Sequence, residues 1–242
     1  MISKSQLKYI QSLGQKKHRD DAGVFIAEGP KLVNELLKMP SAEVLEIYAL
    51  NDWVVQQRAL PSNTKVSVIT EKELERITQL RTPNQVIAVI KKFPAKPTRL
   101  ANQLTLVLDA IQNPGNLGTI LRIADWFGVK QIICSLECAD VYNPKVVQST
   151  MGSIARVSVI YTDLVEFFKK QTMTVYAAML EGKNIFELSA VKEGLLLIGN
   201  ESKGIHEKLI PFVTEKITIP KKGQAESLNA AVATGIILSH LT

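Results

Sequence analysis

The stretch LDAIQNPGNLGTILRIADWFG, residues 108–128, changes period within its own length. It closes an apolar run that begins at Leu104, breaks at Pro114 and Gly115, and then spaces Leu117, Ile120, Leu121, Ala124 and Gly128 as the buried face of a helix. A strand, a glycine-bearing turn and a helix over 117–127 are expected, with Asn116 as the N-cap. Arg122 falls one turn after Gly118 on a different stripe, so its guanidinium reaches back over a residue with no side chain. Two readings stay open for it: a fixed cation above an open niche at the helix N-terminus, or a surface pair with Asp125 at i+3.

The pattern repeats on either side of this stretch. Strand-like apolar runs at 104–110, 130–134, 156–161, 174–180, 195–199 and 216–219 have helical patterns between most of them, which predicts a parallel sheet covered on both faces. Ahead of it, KKFPAKPTRL, residues 91–100, places two prolines and four basic residues between apolar-patterned regions and reads as a linker. Before the linker, helices at 3–13, 29–38 and 71–78 and short strands at 44–50, 66–69 and 86–90 describe a smaller α/β module. The expected organisation is therefore a module over 1–92, a linker over 93–100 and a larger α/β domain over 101–242.

Composition excludes several classes. With 242 residues, 46% hydrophobic and 21% charged, the chain is a folded protein large enough for one large or two modest domains. No apolar run approaches the roughly 20 residues of a membrane span, and MISKSQLKYI lacks the apolar core of a signal peptide, so a cytoplasmic location is expected. Cys134 and Cys138 lie far in sequence from His18, His206 and His240, which offers no tetrahedral zinc site; no metal is expected, and the thiols read as structural and reduced. The net charge of +6 sits mostly in the first part, where residues 1–97 carry 15 basic against 10 acidic side chains. Lys4, Lys8, Lys16, Lys17 and Arg19 all precede the first acid, Asp20. Such a cluster is either a solvated face or a surface for a polyanion, held through phosphates without reading bases.

Two further stretches share the character of the first. LLLIGNESKGI, residues 195–205, is an apolar strand running into Gly199, Asn200 and Glu201. ITIPKKGQAESLNAAVATGI, residues 217–236, is a strand, a glycine loop, and a helix headed by Ser227 and Asn229. In parallel sheets ligands settle at the carboxyl ends of strands, and all three polar turns fall there. Neither a GxGxxG nor a GxxxxGK[ST] pattern is present, which disfavours a common nucleotide-cofactor site.

PGNLGTILRIA, IGNESKG and IPKKGQAESLNAAVATGI, in this order, resemble the three motifs of the SpoU (TrmH-type) RNA 2′-O-ribose methyltransferases of the SPOUT superfamily, over residues 104–242. The segment KKHRDDAGVFIAEGPKLV is similar to the substrate-binding domain ahead of the catalytic domain in many members, especially ribosomal-RNA modifiers. The resemblance implies an α/β fold, with a small N-terminal α/β substrate-binding domain and a C-terminal SPOUT domain whose parallel sheet ends in a trefoil knot. It also implies S-adenosylmethionine as cofactor, RNA as partner and a homodimer. Carried over residue by residue, Asn116 and Arg122 match the first motif's catalytic pair, Glu201 the second motif's acid, and Ser227 and Asn229 the third motif's polar pair. Gly199, Ile219 and Leu228 fall where the family grips the adenosine. Asn200 and Ser202 stand where many relatives have proline or glycine, and Ala230 where valine is frequent.

A ribose 2′-hydroxyl is a poor nucleophile at neutral pH and must be held in line with the methyl while its proton leaves. A guanidinium with a pKa above about 12 is an awkward base, so Arg122 is expected to fix the hydroxyl and a nearby phosphate and to assist deprotonation electrostatically. Asn116 would orient Arg122, Glu201 would hold the motif loops, and Ser227 with Asn229 would shape the pocket. The leading expectation is 2′-O-methylation of 23S ribosomal RNA. A transfer-RNA methyltransferase of the same family and a non-catalytic RNA-binding or ribosome-assembly factor are the alternatives.

Overall fold

Gly23 and Gly29 adopt φ of +65° and +86°, conformations open to glycine at little cost, and between them the chain makes its first strand. The computed structural model describes residues 2–57, 60–95 and 99–242. Helices α1 (Lys4–Ser12) and α2 (Lys16–Ala22) precede that strand, β1 (Val24–Glu28). There follow α3 (Pro30–Leu37), β2 (Val44–Ala49), α4 (Asn51–Val55), β3 (Lys65–Val68), α5 (Glu71–Ile77) and β4 (Val86–Lys91). Capping boxes start two of the helices: Ser3 with Gln6 on α1, and Thr70 with Glu73 on α5. The strands form one sheet in the order β1-β4-β2-β3, with β2 and β3 parallel and the other pairs antiparallel. Ile10, Leu13, Ile26, Tyr48, Leu74 and Ile87 belong to one buried cluster of this unit.

The second sheet grows from β5 (Leu104–Leu108), α6 (Pro114–Trp126), β6 (Gln131–Cys134), α7 (Pro144–Thr150), β7 (Ser158–Tyr161) and α8 (Leu164–Phe168). It is completed by β8 (Val175–Asn184), β9 (Gly194–Ile198), β10 (Glu215–Thr218) and α9 (Ala230–Leu241). The order is β10-β8-β9-β5-β6-β7 and every pairing is parallel, as the alternating runs predict. β5 and β9 are buried along their whole length, which is what a centre covered on both faces requires.

The chain separates into two compact units. One comprises Met1–Pro94 with Asp140–Ala155, the other Ala95–Ala139 with Arg156–Thr242. Residues 140–155, which carry α7, thus belong with the N-terminal sheet. Of the linker assigned to 93–100, residues 96–98 lie outside the described residues.

Arg19 departs from the expected basic surface. Lys4, Lys8, Lys16 and Lys17 are exposed, but Arg19 is 1% exposed. Its Nη1 donates to the carbonyls of Leu13 and Gly14, both at 2.8 Å, and its Nη2 donates to Asp140 Oδ2 at 2.6 Å. The helical repeat of α2 turns position 19 inward while Lys16 and Lys17 stay outside, so this guanidinium ties α1 and α2 to Asp140 and is buried apart from the exposed lysines with which it was grouped. The same segment packs the Tyr142 ring against Phe25, tilted by 35° with centroids 5.1 Å apart, and the Tyr142 hydroxyl donates to the Phe93 carbonyl. Breaking a buried ion pair leaves a charge uncompensated, so Arg19→Ala should cost about 3 kcal/mol of urea-unfolding free energy, whereas Lys4→Ala, Lys8→Ala and Lys17→Ala should each stay within about 0.5 kcal/mol. A loss below about 1 kcal/mol for Arg19→Ala would overturn this reading.

Candidate active site

The strand order reverses between β9 and β5: β6 and β7 extend to one side, β9, β8 and β10 to the other. At such a switch point the loops after two adjacent strands leave in opposite directions and open a crevice. The first two motifs follow these two strands. The Asp109 N–H donates to the Ile198 carbonyl at 2.9 Å and extends the ladder one residue past β5.

The helix after β5 starts earlier than its apolar pattern indicates. Asn113, not Asn116, is the N-cap: its side chain accepts from the N–H groups of Gly115 and Asn116, and Pro114 occupies the first helical position. Asn116 is therefore inside the first turn with its carboxamide free. Its Nδ2 donates to Glu201 Oε1 at 2.6 Å, and its Oδ1 accepts from Asn229 Nδ2 at 2.9 Å. Asn229 is the N-cap of α9, its own Oδ1 accepting from Ala231 and Val232. One chain of side-chain hydrogen bonds thus joins all three motifs.

The second-motif loop is tied to the end of β5 at both ends. Asn200 Nδ2 donates to the Ala110 carbonyl at 2.7 Å, and its Oδ1 accepts from Ser202 and Lys203. Asp109 Oδ2 accepts from the His206 N–H at 2.7 Å. Burial pushes the Asp109 carboxyl above the usual carboxylate range, against the pull of that N–H. Ala110, at φ +52°, is held by its N–H to Ser135 Oγ and by the Asn200 contact. A methyl group on Gly199 would sit 2.4 Å from the Gly204 carbonyl carbon, so only glycine permits this crossing of the loop on itself. Asp109, Asn113 and Asn200 carry the local geometry and were not among the expected site residues. The N-P-G sequence at Asn113 was the available signal for the cap; nothing local marks Asp109.

Beside the network lies a cavity of about 920 Å³ at the carboxyl ends of β5, β6, β7 and β9. Asn116, Glu201 and Asn229 line it, while Arg122, Ser227, Gly199, Ile219 and Leu228 do not. Arg122 and Ser227 are exposed and, among the described residues, neither side chain has a hydrogen-bond or ion-pair partner. The surface pair with Asp125 does not form; Asp125 Oδ2 accepts from Arg156 Nε at 2.8 Å. Cys134 and Cys138 are buried free thiols, and among the described residues no group of three or more His, Cys, Asp or Glu is placed to hold a metal. Among these residues no helix is long and apolar enough to cross a membrane.

Residues 103–239 match the model of the SpoU rRNA Methylase family, and residues 4–88 match the model of an MRM3-like substrate binding domain. The chain belongs to the SpoU rRNA methylase family. It is 32% identical to the 23S rRNA (guanosine(2553)-2′-O)-methyltransferase RlmP of Bacillus subtilis, over 98% of this chain and 95% of that one. A TrmH-family protein of Porphyromonas gingivalis superposes with a TM-score of 0.87 at 36% identity, covering 100% of this chain and 98% of the other. An AdoMet-bound rRNA methyltransferase of Sinorhizobium meliloti does so with a TM-score of 0.84 at 30% identity, covering 98% and 95%.

The network predicts its own failure. Asn116→Asp would place two carboxylates in hydrogen-bond contact and remove the donor that Glu201 uses. Like charges raise a carboxyl pKa in the folded state above its unfolded value near 4. The penalty is therefore absent below about pH 4 and grows as pH rises through the raised folded pKa. Relative to wild type, Asn116→Asp should lose about 2 kcal/mol at pH 7 and much less at pH 4.5, measured by urea unfolding at both values. A pH-independent difference would sink the idea.

Proposed function

We propose that this chain transfers the methyl group of S-adenosylmethionine to a ribose 2′-oxygen in ribosomal RNA, with 23S ribosomal RNA as its substrate. The observation that carries this reading is the hydrogen-bond chain from Glu201 through Asn116 to Asn229, which draws the three family motifs to one point. The N-terminal unit favours ribosomal over transfer RNA, because it matches a substrate-binding domain and the Bacillus subtilis relative named for 23S rRNA aligns across both parts. An RNA substrate of this kind also supports a cytoplasmic site of action.

The strand ends suit the cofactor. The tight Gly199–Gly204 crossing leaves main chain bare of side chains, and in the third motif Leu228, 47% exposed, and half-buried Ile219 offer apolar surface. These three positions would hold the adenosine largely through backbone groups. When bound, S-adenosylmethionine supplies a methyl on a sulfonium that needs no further activation. The protein's work is then with the hydroxyl. Arg122 carries five donors in a planar fork, suited to a hydroxyl and a phosphate together. Its charge favours the alkoxide character that develops as the proton leaves. Asn116, one to two turns earlier on α6, is fixed by Glu201 and Asn229 and sets that helix against the loops, and Ser227 stands at the mouth of the third motif.

Two further features belong to the same reading. The connection from β10 to α9 leaves the outer strand of the sheet and returns to pack α9 on α6 near its centre; we read this passage as the trefoil knot. Trp126 on α6 is 84% exposed and Val232 on α9 is 51% exposed, an apolar surface on two packed helices that suits a homodimer. Light scattering at micromolar concentration should give twice the 26.8 kDa chain mass, and Trp126→Asp should give the monomer; a monomeric wild type overturns the dimer.

The reaction is tested by mapping 2′-O-methyl groups in ribosomal RNA from cells with and without the protein, where one site should disappear. Arg122→Lys keeps charge and removes the fork. It should lower single-turnover methylation by about 10²-fold while S-adenosylhomocysteine affinity and thermal stability barely change. Normal turnover would remove Arg122 from the mechanism. The basic surface is tested by substitution, because truncation at residue 92 would strip 140–155 of the unit they pack in. Replacing Lys4, Lys8 and Lys17 by Ala should reduce the salt slope of RNA binding by about 3, and an unchanged slope returns them to a solvated face.

A further inference from the structure

The cavity over β5, β6, β7 and β9 has two ends with different chemistry. At one end stand Asn116, Glu201 and Asn229; at the other are the segments that follow β6 and β7, with Leu136, Glu137 and Thr162, which no motif uses. None of the residues assigned to the cofactor lines it. Resting on the function proposed above, we infer that this cavity is the seat of the target nucleotide. Its ribose lies at the Asn116–Glu201–Asn229 end, its base extends over the ends of β6 and β7 against Leu136, and its flanking phosphates lie on Lys203 and Lys208.

The pairing state of the charged groups supports this. The cavity holds four acids and two lysines. Three of the acids are taken up by protein donors: Asp109 by the His206 N–H, Asp163 by the Glu166 N–H as cap of α8, and Glu201 by Asn116. Lys203 and Lys208 are exposed; their backbone N–H groups are bonded, but among the described residues neither side-chain ammonium has a hydrogen-bond or ion-pair partner. The lysines are thus free for phosphates, contacts that position a nucleic acid without reading it. Glu137 is the acid left unpaired among the described residues, free to accept an N–H from a base edge.

Leu136 gives the second observation. It is 68% exposed on the cavity wall, although its neighbours Ser135 and Cys138 are 4% and 8% exposed. Ser135 Oγ is held by Ala110 N–H and Cys138 Sγ by Ile111 N–H, so the turn is pinned from the first motif and Leu136 is held outward by that turn. An apolar side chain held at a cavity wall offers a surface against which the face of an unstacked base can pack, and splayed, unstacked bases are what proteins read in single-stranded RNA. A volume near 920 Å³ is at the upper end of the roughly 300–1,000 Å³ of ligand pockets, enough for a nucleotide with a neighbouring phosphate.

The experiment uses full-length protein, 23S ribosomal RNA from cells lacking it, and S-adenosylhomocysteine as cofactor probe. Lys203→Ala with Lys208→Ala should raise the KM for RNA about tenfold and lower the salt slope of RNA binding by about 2. Leu136→Asp should raise the KM for RNA at least fivefold, on the order of one lost stacking contact. In both variants the S-adenosylhomocysteine Kd should stay within about twofold. A photo-reactive benzoylphenylalanine at position 136 should cross-link to the methylated nucleotide or its immediate neighbour. If the variants weaken S-adenosylhomocysteine and spare RNA, the cavity is the cofactor's and the inference fails. It fails too if neither changes, or if the cross-link maps to a remote part of the RNA. A wild-type protein that methylates no RNA would instead sink the proposed reaction, and the cross-link would still decide the seat of the RNA.

Discussion

The carboxamide of Asn116 is the point on which the site depends, because it has to act as donor and acceptor at once. Glu201 takes its N–H and Asn229 gives one to its oxygen, at 2.6 and 2.9 Å. An aspartate could do only the second and would face a carboxylate; a leucine of similar size could do neither. The same logic recurs at Asn200 and Asn229, where the oxygen caps a turn or helix while the nitrogen reaches another motif. At Asn113, among the described residues, only the oxygen is used, as the cap of α6. Asparagine is required where both ends of the amide have work, and that separates a cap that any of Asp, Ser or Thr would supply from a cross-brace that they would not.

That brace is possible because β5 and β9 are neighbours where the strand order reverses. Sheet pairing places the start of each loop to within a ladder step, so the remaining side-chain contacts span only a few ångströms. The local cost appears in the backbone: Ala110 sits at φ +52°, and Gly199 passes Gly204 with no space for a methyl group. The hydrogen bonds that hold that region include those from Ala110 to Ser135, from Asn200 to Ala110 and from His206 to Asp109, and the pair of backbone bonds between Asn200 and Gly204. Strain of this kind persists where the surroundings over-determine it, and it is concentrated here at the crevice.

The sequence displayed what repeats and hid what depends on distant partners. Every strand of the parallel sheet shows as an apolar run, most plainly β5, β6 and β9, which are buried along their whole length; β8 is buried only near its start and runs on through exposed, charged residues to Asn184. β1 was missed: VFIAE is five residues, wholly buried, and lies between two glycines that read as turns. α2 was missed because KKHRDDA carries five or more charges and almost no apolar stripe; it ends at Gly23 in the left-handed region. The cap of α6 was misplaced by three residues because Leu117 opened the periodic pattern, although Pro114 already fixed the first turn. The placement of residues 140–155 with the N-terminal unit had no local sign at all. It rests on contacts such as Arg19 with Asp140, 121 residues apart.

Arg19 and Arg122 make the last distinction. Both were picked out as cations in the sequence, and both lie on helices. Arg19 faces inward, and both of its Nη nitrogens are consumed by two carbonyls and a carboxylate; only its Nε remains without a partner. A guanidinium so enclosed serves the fold, since removing it would strand three acceptors. Arg122 is exposed, and leaving a solvated guanidinium unpaired costs little, because water satisfies it. Asp125, the acid one turn away, is engaged by Arg156 and so does not neutralise it. The helix therefore presents an uncommitted fork whose base is fixed by a well-packed α6 with Leu117, Ile120, Leu121 and Ala124 all buried. Rigid attachment with free donors is the combination that binding and catalysis need, and burial is what separates it from the same side chain used as a structural tie.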